Sequence, residues 1–362
     1  MTAKSTAARI ILEDGTEYEG TAFGYAKSAA GEIVMYTGYP DFPRILTDPA
    51  LKSTILIASH PMAGAAGFTR EHLCPLGLET DYESASAHIA GLVVASFAPH
   101  ADHWTAHKTI HLWLRKHRIP GISGIDTRAL IQRVSRRGSM RAKILIEDAN
   151  DISFSSAGRF NHPSFVSVKQ PVSYGSGKKR IIAVDCGIRN TTLRYLAASG
   201  CTITRVPWNY DYSSETFDAL CIAGGPGEPS EYDQTVSILA SVLSRGIPVM
   251  GTGLGAVLLA LAGGASTYKI PQGHYNPAIP CIDQKTGTCI FTSQCHRYGI
   301  RTGTLPDGWE VSYLNSTDGS IEGFYGNRGL ISGYLFMPEG ISGASSTSGL
   351  FSRFYDHIGD KT

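Results

Sequence analysis

Hydrophobic and polar positions change rhythm part-way along the chain. In the first 150 residues, short apolar runs sit between turns. Arg9 to Gly20 alternates around Asp14-Gly15, which predicts a hairpin. Ile55 to Ser59 and Gly91 to Phe97 are continuous apolar runs, the pattern of buried strands. Trp104 to Lys116 predicts a helix ending before Pro120, and Thr127 to Arg137 another stopped by Gly138. From 151 to 179 Ser, Gly, Pro and Lys dominate, so this segment reads as a linker. Beyond it, strand and helix alternate. Strands are expected at Arg180–Asp185, Thr202–Val206, Ala219–Ala223 and Pro248–Gly251. Helices are expected at Asn190–Ser199, closed by Gly200, then at Val236–Ser244 and Val257–Leu261. That alternation implies a parallel sheet with right-handed crossovers and ligands at the carboxyl ends of its strands. The expected fold class is α/β, with domains at 1–150 and 180–362 on either side of the linker at 151–179.

Composition narrows the classes. Of 362 residues, 42% are hydrophobic and 17% charged, which excludes disordered and coiled-coil chains. Glycine is about 11%, with 40 residues, against a usual ~7%, and fits many tight turns. Lys+Arg at 32 against Asp+Glu at 31 leaves a net charge of +1, which argues against a nucleic-acid or polybasic membrane partner. No run of 18 apolar residues occurs, and Met1 to Arg9 lacks the apolar core of a secretory signal. The 7 cysteines include no CxxC pair, so neither a disulfide scaffold nor a structural zinc site is expected. No metal and no cofactor are expected, and a reducing, cytoplasmic setting fits. His103, His107 and His111 should share one face of their helix; without a nearby acidic ligand, a solvated face is the expectation. Arg133, Arg136 and Arg137 read as a helix end favoured by its dipole.

Two Gly-rich turns follow strands in the second domain. One is Ala223-Gly-Gly-Pro-Gly-Glu-Pro229. The other, Gly251-Thr-Gly-Leu-Gly-Ala256, opens an apolar helix. Strand, sharp turn and helix make the geometry of a nucleophile elbow, with backbone N–H groups placed to hold an oxyanion. The apex residue is Gly253, which has no side chain to attack with; a plain Gly-rich turn is the competing reading.

Several motifs, in order and in both domains, carry a resemblance. They are Leu12-Glu-Asp-Gly-Thr16, Gly31-Glu-Ile-Val34, Ile45-Leu-Thr-Asp-Pro49, Pro61-Met-Ala-Gly-Ala-Ala-Gly67 and Ile125-Asp-Thr-Arg128 in the first. The second adds Asp185-Cys-Gly-Ile-Arg-Asn190, Gly224-Gly-Pro-Gly-Glu-Pro229, Gly251-Thr-Gly-Leu-Gly255 and Met337-Pro-Glu339. The chain resembles the glutamine-hydrolysing small subunit of carbamoyl phosphate synthetase, whose second domain is a class I glutamine amidotransferase. The resemblance implies a Cys nucleophile, a His base, a Glu orienting the His, and ammonia passed to a large ATP-using subunit. Here the elbow residue is Gly253 and the His position is Met337, so only Glu339 of that triad remains. Without a thiolate and its base, normal glutaminase turnover is not expected, and Gly253→Cys alone should not restore it.

The resemblance also places the glutamine-binding groups at Gly38, Val257 and Cys295, each a weakened or lost hydrogen-bonding side chain. The altered pocket is expected to comprise Tyr36, Gly38, Gly225, Gly227, Leu254, Gly255, Val257, His274, Tyr275 and Tyr298. Tyr39, Met62, Phe336 and Met337 lie in or beside its walls. Glu339, His296 and Cys295 are the candidate catalytic groups. Cys295 and His296 are neighbours on an expected strand and so point to opposite faces, which disfavours a Cys–His pair. Aromatic and Met filling of a dead site is the competing reading. Two functions follow. The primary one is a repurposed enzyme that binds a different small-molecule ligand at the old glutamine site and transforms it by non-covalent acid–base chemistry, a cyclisation, condensation or hydrolysis. The other is a non-catalytic subunit of a large ATP-using synthetase chain.

Overall fold

The computed structural model describes residues 6–38, 41–147, 151–154, 161–340, 347 and 349–359. They fall into two units, Met1–Cys74 with Glu79–Phe160, and Pro75–Leu78 with Asn161–Thr362.

In the first unit the apolar runs close into a barrel. Its strands are β1 (Ala7–Leu12), β2 (Glu17–Gly24), β3 (Ala29–Tyr36), β4 (Thr54–Ala58), β5 (Gly91–Val94), β6 (Pro120–Ser123) and β7 (Arg141–Ile146), in the order β1-β2-β6-β5-β4-β3-β7. The expected hairpin is present: Ile11 lies opposite Glu17, and Gly15 turns the chain at φ 83°. Three helices accompany the strands: α1 (Phe42–Leu46), α2 (Ile110–Lys116) and α3 (Thr127–Arg137). Asp126 caps α3 by accepting from Ala129 N at 2.9 Å, and Gly138 ends it at φ 87°. Leu130 and Val134 on α3 pack against Ile10, Ile57, Val93 and Ile144 of the barrel.

The helix expected from Trp104 is shorter than its pattern suggests. It starts at Ile110, where Thr109 accepts from Leu112 N at 3.3 Å. Upstream, local polar bonds win: His103 Nδ1 and Thr105 Oγ1 lie 2.7 Å apart, and Phe68 bridges Lys108. The shared histidine face therefore does not exist. His103 and His107 precede the helix, and His111 Nδ1 accepts from Gly24 N at 3.1 Å.

In the second unit the elements are α4 (His162–Val166), β8 (Val172–Tyr174), β9 (Arg180–Asp185), α5 (Asn190–Ala197), β10 (Thr202–Pro207), β11 (Ala219–Ile222), α6 (Asp233–Val242) and β12 (Val249–Thr252). They continue with α7 (Leu254–Ala262), β13 (Thr267–Asp283), β14 (Cys289–Ile300), β15 (Glu310–Asn315), β16 (Ile321–Gly326), β17 (Ile331–Tyr334) and α8 (Gly349–Gly359). The sheet order is β14-β13-β15-β16-β17-β12-β11-β9-β10-β8. Its centre, from β10 to β17, is parallel; both flanks are antiparallel. Residues 254–260 of α7 are all buried, the mark of a helix apolar all round and packed into a core.

Part of the segment read as linker is ordered structure of this unit. Asn161 caps α4 by accepting from Ser164 N, and Ile203 on β10 lies opposite Tyr174 on β8. An exposed three-residue edge strand is too short and too polar to show a period.

Candidate functional site

The backbone between β12 and α7 makes a sharp elbow. Gly253 caps the helix at φ 54°, ψ −126°, and its N–H donates to the Tyr334 carbonyl of β17 at 2.8 Å. A Cβ added there would meet little, the nearest atom being Gly224 Cα at 3.3 Å. The conformation, rather than crowding, is what favours glycine. Gly255 differs: its Cβ would lie 2.2 Å from the Ile222 carbonyl oxygen. At Gly225 the clash is with the Cys186 carbonyl, at 1.9 Å. Gly227 holds φ 83°. These loops pack backbone on backbone, which only glycine permits.

In the segment after β17, Met337 is held by backbone pairing with Ser293 of β14, its N–H donating to Ser293 O at 2.8 Å. The Arg189 guanidinium sits against Met337 Sδ. The same Nη1 lies 3.3 Å from Glu339 Oε1, and Thr192 Oγ1 donates to that oxygen at 2.6 Å. Arg189 and Glu339 side chains are 8% and 2% exposed, so this is a buried ion pair. Arg189 is placed by the loop leading into α5. Asp185 Oδ1 accepts from Gly187 N and Ile188 N at 3.1 and 2.8 Å, which bends the chain so that Arg189 precedes the helix.

A second polar cluster stands on β13, β14 and β16. His274 and His296 are cross-strand partners with ring centroids 4.9 Å apart and planes at 81°. Glu322 lies between them: His274 Nδ1 is 2.9 Å from Oε1, and His296 Nε2 is 3.2 Å from Oε2. Burial by itself would raise the Glu322 carboxyl, yet the His296 charge and the bonds from both imidazoles outweigh it and hold it down to about 2. Burial likewise opposes charge on His274, but Glu322 and Asp318 outweigh it and raise the imidazole above its ordinary value.

The remaining expected residues fall in both units. Leu254 and Val257 are buried members of the second unit's hydrophobic core. Tyr298 packs against the same core, and Tyr275 is buried opposite Cys295. Cys295 and His296 are consecutive on β14 and pair with different residues, Tyr275 and His274. Phe336 is buried against Tyr313 and Tyr334. Tyr36, the buried last residue of β3, and half-buried Gly38 belong to the first unit, as does Met62, 51% exposed; Tyr39 lies outside the described residues. Burial pushes the thiols of Cys186 and Cys221 upward and that of Cys281 up to about 12.

Sequence reasoning missed Arg189, Thr192, Asp318 and Glu322. Arg189 stood inside a quoted motif without a role. Glu322 carried a signal, a carboxylate within the otherwise apolar strand Ile321–Gly326.

Comparison with known proteins agrees with both units. Residues 10–144 match the model of the carbamoyl-phosphate synthase small chain, CPSase domain, and residues 182–357 that of glutamine amidotransferase class-I. The arginine-specific small chain of carbamoyl phosphate synthase from Neurospora crassa is 35% identical over 98% of this chain and 81% of its own length. "Carbamoyl-phosphate synthase [ammonia], mitochondrial" of Homo sapiens is 34% identical over 99% of this chain and 24% of its own. "Multifunctional protein CAD" of Squalus acanthias is 34% identical over 96% and 16%. The chain thus spans 16–24% of those two longer relatives. Among the described residues no helix is long and apolar enough to cross a membrane. With both halves matched in order and a small chain covered over most of its length, this protein belongs to the carbamoyl-phosphate synthase small-chain family.

Proposed function

We propose that this chain is a small subunit that does not hydrolyse glutamine and instead supports a large, ATP-using synthetase chain working with free ammonia. The observation that carries the reading is the buried Arg189–Glu339 pair with its guanidinium against Met337. By the family resemblance, Met337 stands where a His base is expected and Gly253 where the thiol is expected. A thioether is a weak acceptor and a guanidinium stays protonated, so neither takes a proton from a nucleophile. Glu339 is bound to Arg189 and Thr192 instead of orienting an imidazole. The relative whose name specifies ammonia supports the same direction.

The test is a reconstitution. The purified chain, with and without a large synthetase chain, is given glutamine or ammonium. Co-purification is expected, and so is carbamoyl phosphate formation from bicarbonate and ATP with ammonium as the sole nitrogen source, with no glutamate released. The Gly253→Cys variant should also release none. Glutamine-driven product from the unmodified chain would overturn the reading.

A second reading, transformation of another small metabolite, draws on one observation. Glu339 Oε2 is buried and has no hydrogen-bond partner among the described residues. If Glu339 acts as acid or base, Glu339→Gln must abolish turnover of whatever metabolite the wild type consumes. Equal turnover removes that role. His296 is less suited to it, being 5% exposed and tied to Gln294 and Glu322.

A further inference from the structure

His274 of β13, His296 of β14 and Glu322 of β16 bring one nitrogen or oxygen each within 4.8 Å of one another. Their side chains are 12%, 3% and 0% exposed. The two His–Glu separations, 2.9 and 3.2 Å, run to different oxygens of Glu322, and the roughly 3.4 Å expected between ligands of a tetrahedral zinc ion with bonds of about 2.0–2.1 Å lies inside the 4.8 Å span of the three groups. An ion would replace the protons now shared between imidazole and carboxylate and draw the three ligand atoms, now within 4.8 Å of one another, to its own spacing.

The outer bonds make a second observation. Each imidazole turns one nitrogen toward Glu322 and the other toward an acceptor. His274 Nε2 faces Asp318 Oδ2 at 3.0 Å, and His296 Nδ1 faces the Tyr298 carbonyl at 3.2 Å. A carboxylate or carbonyl behind the ring is what fixes tautomer and orientation in metal-bound histidines. Asp318 is itself set by accepting from Ser320 N at 2.9 Å and Ser320 Oγ at 2.7 Å. Gln294 adds an oxygen. Its Nε2 donates to Thr292 Oγ1 at 2.9 Å, which leaves Oε1 turned to His296 Nε2 at 3.2 Å.

We propose that His274, His296 and Glu322 form a buried binding site for a zinc-class divalent cation, with Gln294 Oε1 or one water as the fourth ligand. Two imidazoles and a carboxylate select a borderline transition metal over magnesium or calcium, which prefer all-oxygen shells. Near-complete burial leaves no open position for a substrate, so the ion is structural. It joins β13 and β14 to β16, from which they are separated by β15. The site is independent of the ammonia reading, because metal content and glutamine or ammonium use are measured separately.

The test titrates the full chain, stripped with a chelator and dialysed, with zinc alone, and measures bound metal by elemental analysis. About one zinc per chain is expected, with a rise in thermal midpoint that chelator reverses. His274→Ala and Glu322→Gln should abolish uptake. Asp318→Asn, which leaves all the ligands, should weaken affinity by about 10–100-fold. Cys289→Ser and the His103→Ala/His107→Ala double variant alter exposed groups outside the cluster and should change nothing. Wild-type uptake below about a tenth of an equivalent, or unchanged uptake by His274→Ala, overturns the proposal. If Glu322→Gln does not fold, wild-type stoichiometry and Asp318→Asn still decide.

Discussion

Two buried carboxylates in the second unit are neutralised in different ways. Glu339, in the segment after β17, is paired with a guanidinium; Glu322, on the antiparallel flank, is paired with two imidazoles. Both are nearly sealed from solvent, so each would be costly without its partner. The difference is in what the partner can do next. Arg189 keeps its proton at any working pH and offers only donors. It offsets the charge of Glu339 through Oε1, while Oε2 has no hydrogen-bond partner among the described residues. An imidazole can release its proton to solvent as a metal ion takes the proton's place on the nitrogen, while the carboxylate stays where it is. Equal burial therefore leaves one carboxylate beside a cation that keeps its proton and the other beside partners that can exchange theirs.

The largest expected effect comes from breaking the Arg189–Glu339 pair. Arg189→Met leaves Glu339 buried without its cation and should cost about 3–5 kcal/mol in urea denaturation. The double variant Arg189→Met/Glu339→Leu should recover most of that loss. Equal destabilisation of single and double variants would show that the guanidinium acts through packing and not charge. Next come the glycines of the elbow. Gly255→Ala, with its Cβ 2.2 Å from a carbonyl oxygen, should cost about 1–3 kcal/mol through overpacking. Gly253→Ala has room and suffers only its φ of 54°, which should cost about 1–2 kcal/mol. Reversal of that order in denaturant midpoints would mean that strain, not close approach, governs the turn.

A buried imidazole with no carboxylate sharpens the comparison. His88 in the first unit has Ser84 Oγ at 2.8 Å as its partner, and burial, aided by the Lys52 charge, lowers it to about 3. Its folded value lies below the unfolded value of 6.5, so below pH 6.5 the unfolded chain binds the extra proton. Stability is then lost as pH falls from 6.5 toward 3, by up to about 1.4 kcal/mol per pH unit. His88→Gln should flatten that slope in urea titrations run across this range; an unchanged slope would place the acid lability elsewhere.

Much of the architecture was legible locally. The Asp14-Gly15 hairpin, the helix between Asp126 and Gly138, and the strands at 180–185 and 219–222 are set by turn chemistry, caps and apolar runs within a few residues. The failures share a cause. At Trp104–Thr109 the helical pattern was overruled by His103–Thr105 bonds and the Phe68–Lys108 bridge, and β8 exists only because β10 offers it an edge.

The chain alone determined the succession of elements, the glycine at the elbow, and the absence of a thiol and an imidazole at positions 253 and 337, because those are properties of residue type and spacing. Only the tertiary structure decided what fills that locus and what gathers elsewhere. Arg189 and Glu339 are 150 residues apart, and His274, His296 and Glu322 lie on three strands whose order differs from their sequence order. No local pattern encodes such partners. They meet because strand pairing sets the register, and a buried charge holds its place only where another element delivers its counter-charge.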